Sequence, residues 1–122
     1  MPSHARVRLE DLARQIGATV TTPGRPGAEV DRVYAGDRIS DLLDQSSDRT
    51  LLVTNLAGGQ LMRVAELMDV PGICVTGGRM PDGEMVALAR SHGTMLMVSP
   101  VGMFETCGRL YSCLAGAKQA AP

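Results

Sequence analysis

Residues 50–99 read TLLVTNLAGGQLMRVAELMDVPGICVTGGRMPDGEMVALARSHGTMLMVS, and this stretch decides the fold. Thr50–Thr54 (TLLVT), Gly72–Thr76 (GICVT) and Thr94–Ser99 (TMLMVS) are short apolar runs without a charge. A strand with one wet face alternates apolar and polar residues. A continuous apolar run is buried on both faces, as in the interior of a parallel sheet. Between these runs the periodicity changes. Leu61, Val64, Ala65 and Met68 fall at i, i+3, i+4 and i+7, and Met85, Leu88, Ala89 and His92 repeat the spacing. Each set lines one face of a helix. Asp82 is placed to cap the second helix and Gly93 to end it.

The same unit extends outward. Val30–Ala35 reads as an earlier strand, followed by a short helical face at Ile39, Leu42 and Leu43. Leu9, Leu12, Ala13 and Ile16 make an opening helix with Gly17 as its stop, and residues 22–27 (TPGRPG) form a loop. Cys107, Leu110, Tyr111 and Leu114 mark a closing helix. Strands therefore begin near Val30, Thr50, Gly72 and Thr94, almost evenly spaced. A leucine-rich solenoid is excluded because its L-x-x-L-x-L pattern is missing. Repeated strand–loop–helix units of this length give a parallel sheet with right-handed crossovers. The expected fold is a three-layer α/β/α domain with a mostly parallel sheet of four or five strands. It is one domain over 1–122, with a core at about 7–114 and a frayed tail at 115–122. Strand order does not follow from the sequence.

Composition removes several functions. The 122 residues suffice for one core without disulfides or metal. The formal net charge of −1 supplies no basic field for nucleic acid. Tyr34, Phe104 and Tyr111 are the whole aromatic complement, too few for base-stacking platforms. Cys74, Cys107 and Cys113 show no metal-ligand spacing, and no metal or other cofactor is expected. Cys74 is expected to pack as a small apolar side chain, and Cys107 and Cys113, six residues apart on one helix, to point in different directions. No apolar leader or membrane-length run occurs, so a cytoplasmic protein without membrane or nucleic-acid partners is expected.

Candidate chemistry gathers where strands end. In parallel α/β sheets ligands lie beyond the carboxyl ends of the strands. Four loops belong there: Gly36-Asp37-Arg38, Thr54–Gly59, Thr76-Gly77-Gly78-Arg79 and Ser99–Gly102. They place Asp37, Arg38, Thr54, Asn55, Thr76, Gly77, Gly78 and Arg79 on one rim as candidate ligand-binding residues. In Thr76–Arg79 the glycines allow backbone N–H groups to approach an anion near a following helix N-terminus, with Arg79 as the charge. The plainer reading is a tight turn at positive φ. The stretch is neither a P-loop nor a dinucleotide fingerprint. Asp37 either caps the next helix or faces a ligand or a twin subunit. Asn55 either orients a ligand or satisfies its own loop. No catalytic residue is assigned. His4 lies at the terminus, His92 ends a helix, and no Ser or Cys has a base beside it.

With Gly36-Asp37-Arg38 after an early strand and Thr76-Gly77-Gly78 after a later one, the chain resembles the DRTGG domain family. Val75–Pro100, the opening Leu9–Val20 and the closing Phe104-Glu105 with Gly108-Arg109-Leu110 are similar to family segments. One departure is Gly102-Met103-Phe104 where the family carries Asp-Thr-Phe, so a hydroxyl and a carboxylate are missing. The resemblance implies a fold like the N-terminal domain of HPr kinase/phosphorylase, found beside CBS pairs in regulated pyrophosphatases and as short forms in hydrogenase-type redox systems. It implies a non-catalytic regulatory or assembly module that pairs with itself. Together with eight Met, it leads to the expectation of a homodimer that binds a small anionic or nucleotide ligand at the rim. The alternative is a protein–protein adaptor within a redox or metabolic enzyme complex.

Overall fold

The computed structural model describes residues 5–120, and His4 lies outside them. The elements run β1 (Val7–Arg8), α1 (Leu9–Ile16), β2 (Thr19–Thr22), β3 (Glu29–Val30), β4 (Arg32–Ala35), α2 (Ile39–Gln45), β5 (Thr50–Thr54), α3 (Gln60–Met68), β6 (Gly72–Val75), α4 (Gly83–His92), β7 (Met95–Val98) and α5 (Met103–Ala120). The main sheet has five strands in the order β2-β7-β6-β5-β4. β4, β5, β6 and β7 are parallel, and β2 closes one edge antiparallel to β7. The fold is the expected three-layer α/β/α arrangement.

Each buried strand is read twice. Leu52, Ile73, Val75 and Leu96 point to one face, where Leu42 of α2, Leu61 and Met62 of α3 and Met85 of α4 cover them. Leu51, Val53, Cys74 and Met97 point to the other, under Leu9, Leu12 and Ile16 of α1 and Leu110 of α5. The strand period of two therefore feeds two cores from continuous apolar runs. The parallel strands advance in one direction across the sheet. Right-handed crossovers then put α2, α3 and α4 all on one face and leave the other to α1 and α5. Strand order never reverses among the parallel strands, so the crevice of a switch point does not form. The carboxyl rim is a platform.

Four expectations change. The stretch Val30–Ala35 breaks at Asp31: β3 pairs antiparallel with β1 in a small separate sheet, and β4 joins the main one. Asp31 is the cause, since its buried carboxylate is held by Arg32 Nε at 3.0 Å and Arg49 Nη1 at 3.3 Å. Strand β2 was not expected. Its sequence, TVTT, is polar, with Thr22 alone buried against the sheet. Tyr111 does not join the buried face of α5 but is 76 % exposed. Finally, α5 runs from Met103 to Ala120, longer than the face from Cys107 to Leu114 that marked it. The terminators behave as read: Gly17 and Gly93 end α1 and α4 at φ 74° and 84°, and Asp82 caps α4 by accepting from the Met85 amide at 2.8 Å.

Candidate functional site

The register between β4, β5 and β6 brings Asp37, Thr54, Asn55 and Thr76 side by side at the carboxyl rim. Gly36 N–H donates to Val53 O at 2.9 Å, which keeps β4 on β5 up to its last residue. Asp37 follows immediately. Its Oδ1 accepts from Thr54 Oγ1 at 3.1 Å and from the Asn55 amide at 2.7 Å, and its Oδ2 accepts from Asn55 Nδ2 at 3.1 Å. Asn55 Oδ1 in turn accepts from the Thr76 hydroxyl. One chain of hydrogen bonds thus ties the ends of three strands. Asp37 does not cap α2, as the plainer reading held: the N-cap is Arg38, with no side-chain cap bond. Asn55 bonds neighbouring strand ends with its side chain, not its own loop.

The Thr76–Arg79 loop departs from an anion cradle. Gly77 and Gly78 have φ of 74° and 69°, so the glycines are required by the turn. Their N–H groups are already used, Gly77 donating to Val101 O at 2.7 Å and Gly78 to Ser99 O at 2.8 Å. Helix α4 starts five residues beyond Gly78 with Asp82 on its first turn, so the expected helix N-terminus is filled by the protein's own carboxylate. Arg79 is exposed and makes no hydrogen bond or ion pair among the described residues. The Arg38 side chain is 80 % exposed, and its Nε makes an ion pair of 3.8 Å with Asp41. The rim is therefore a braced polar platform carrying two exposed guanidinium groups, one of them paired with Asp41.

The fourth loop is braced from α5. Ser99 and Thr106 hydroxyls lie 2.7 Å apart, and Thr106 also donates to Val101 O at 3.3 Å. Thr106 is fully buried. It supplies a hydroxyl at the start of α5, although Met103 carries none, and the sequence reading missed it. Its signal was one Thr on the core side of an apolar helix face. Also missed is the Asp31–Arg32–Arg49 cluster at the opposite end of β4, beside a cavity of about 280 Å³ lined by Arg6, Glu29 and Asp48.

Among the described residues no acid–base or nucleophilic pair meets on the rim. His92 sits at the far end of α4, with Nε2 3.3 Å from Asp69 but outside hydrogen-bond geometry. Burial, then the neighbouring Cys107, push the Cys74 thiol up to about 12, against a smaller opposing hydrogen bond from the Ser99 backbone. Burial also raises Cys107 and Cys113, which both pack against the α1 core. Such thiols are poor nucleophiles. Among the described residues no three His, Cys, Asp or Glu side chains could hold a metal ion, and no helix is long and apolar enough to cross a membrane.

No family model and no curated protein matches the sequence. Solved structures do match. One is the CBS and DRTGG domains of the regulatory region of Clostridium perfringens pyrophosphatase, complexed with its activator, diadenosine tetraphosphate. The TM-score is 0.73 at 16 % identity, over 88 % of this chain and 47 % of that one. The chain thus spans about half of that structure. The likeness is one of fold, and it supports a DRTGG/CBS-like fold for this chain.

Proposed function

We propose that the chain is a cytoplasmic, non-catalytic regulatory module that binds a small phosphate-bearing ligand at its rim and pairs with itself. The observation that carries this reading is the Asp37–Asn55–Thr76 chain of hydrogen bonds. It fixes three strand ends while leaving Arg79 unpaired among the described residues and Arg38 held only by an exposed ion pair to Asp41, a construction suited to holding an anion and not to moving protons. Arg38 follows β4 and Arg79 follows β6, so they flank the β5 end on a platform whose wall hydroxyls are already satisfied. Guanidinium groups pair phosphate oxygens bidentately. The similar pyrophosphatase region takes a polyphosphate nucleotide as activator, which agrees in ligand chemistry and in regulatory role. Three unpaired thiols suit a reducing compartment.

A second reading, an adaptor that contacts a larger enzyme, is favoured by Met80. It stands next to Arg79 and is 64 % exposed, as an adaptable apolar contact would be. Calorimetric titration with ATP and with diadenosine tetraphosphate separates the two. The ligand reading predicts binding heat in the wild type and a loss of roughly ten- to a hundredfold in affinity for Arg79→Ala, the worth of one charge-assisted hydrogen bond. Absence of heat with both nucleotides removes the ligand and leaves the adaptor.

A further inference from the structure

Phe104 and Tyr111 of α5 are 94 % and 76 % exposed, two of the three aromatic side chains in the whole chain. They lie seven residues apart, on one flank of the helix. Leu110 faces the sheet, and Arg109 turns to the opposite flank, where it donates to Ile16 O of α1 at 2.8 Å. The aromatic flank therefore faces away from α1. Helix α1 touches β2, at one end of the sheet, while α5 packs on β4 and β5 at the other. The aromatic flank thus overhangs the outer edge of β4. Gly108 sits between the two rings, with nothing near the space a Cβ would fill. The remaining exposed large apolar side chains, such as Leu67 and Val20, stand singly on other elements.

Among the described residues the edge beneath is open. β4 ends the sheet. Because Gly36 N–H bonds Val53 O, with Ala35 opposite Val53, alternation turns the N–H and C=O of Val33 and Ala35 outward.

From this juxtaposition we infer that the β4 edge and the Phe104–Tyr111 flank of α5 form one docking surface for a second copy of this chain, joined about a two-fold axis near Tyr34. The inference rests on the self-pairing in the reading above and names its surface. An antiparallel β4 pair centred on Tyr34 sets Val33 opposite the partner strand's position 35, where outward donors and acceptors match. The helices agree in spacing. Each α5 lies over the outermost strand pair, and a strand spacing of about 4.8 Å brings the two α5 axes to about 8–10 Å, the distance at which helices pack. Four aromatic rings at about 150–200 Å² each supply roughly 600–800 Å² of the approximately 1,600 Å² that a stable dimer buries. The two strand edges and the flanking parts of α2 add to it.

The test is molar mass by light scattering from low to high micromolar concentration, with backbone amide exchange, on the full chain. The wild type is expected as a dimer with slowed exchange at Val33 and Ala35. The exposed double variant Phe104→Glu/Tyr111→Glu is expected to weaken pairing by about a hundredfold or more and to restore fast exchange at both amides. Leu67→Glu on α3 is expected to leave both readouts unchanged. Circular dichroism equal to wild type shows that the double variant is folded. A wild-type dimer that survives the double variant, or whose Val33 and Ala35 amides exchange freely, overturns this surface and leaves self-pairing standing. A wild type that is monomeric at high micromolar concentration overturns both.

Discussion

Asp37 spends both carboxylate oxygens on β5 and its loop, accepting three hydrogen bonds from Thr54 and Asn55. Hydrogen bonds to a charged acceptor contribute about 1.5–3 kcal/mol when sheltered. Here the site is open to water, which lowers the value. Asp37→Ala is expected to cost about 1–2 kcal/mol, read as a melting temperature lower by roughly 5 °C per kcal/mol. It should also loosen Asn55 and Thr76 and so weaken the rim ligand. An Asp37→Ala protein that melts like the wild type contradicts the brace. Cys74 gives a second prediction at this scale. Its thiol is raised to about 12 from 9.0 by burial. The folded state then holds the proton more tightly than the unfolded state. Stability is full below about pH 9 and falls as pH rises from there towards 12. Chemical denaturation between pH 8 and 11 should show a declining stability that Cys74→Ala flattens. An unchanged slope in the variant would assign the alkaline loss to other groups.

At the scale of elements, α1 reaches the sheet through a gap that one residue provides. A Cβ on Gly72 would lie 2.8 Å from Leu9 Cδ1, and Leu9 is fully buried under the strands. Gly72→Ala must displace the packed Leu9 side chain, and with it strain the seat of α1, at about 1–3 kcal/mol for an overpacked core. Urea unfolding measures it, and a neutral result would mean that α1 is seated more loosely than described. Legibility follows the same physics. Helices α3 and α4 are readable because their apolar faces repeat every three to four residues and Asp82 and Gly93 mark the ends of α4. Strands β5, β6 and β7 are readable because burial on both faces removes all charge. Strand β2 is not, since an edge strand of threonines carries no burial signal. Nor is the break at Asp31, which depends on Arg49 arriving from the start of β5. The rim residues are legible as strand ends. Their bonding is not, because Asp37, Asn55 and Thr76 meet only if β4, β5 and β6 are neighbours in that order. The glycine pair Gly77-Gly78 misleads for a related reason: its amides are taken by Ser99 and Val101, from a loop whose position follows from the fold and not from local sequence.

For the molecule as a whole, a net charge near zero and a platform without a crevice leave recognition to a few side chains. Regulation by such a domain requires that a ligand at the rim be felt by whatever binds elsewhere. The β4 strand offers the physical route, because Asp37 at its end is part of the rim while its outer edge is the surface assigned to a second copy. The claim on which this rests is that the rim is where a phosphate-bearing ligand sits. The most direct measurement is a titration of the isotope-labelled chain with ATP, followed by backbone amide resonances. Shifts concentrated at Asp37, Arg38, Asn55 and Gly77–Met80, and lost in Arg79→Ala, are the predicted result. Shifts confined to the Asp31–Arg49 end of the sheet, or no shifts at millimolar nucleotide, would contradict it.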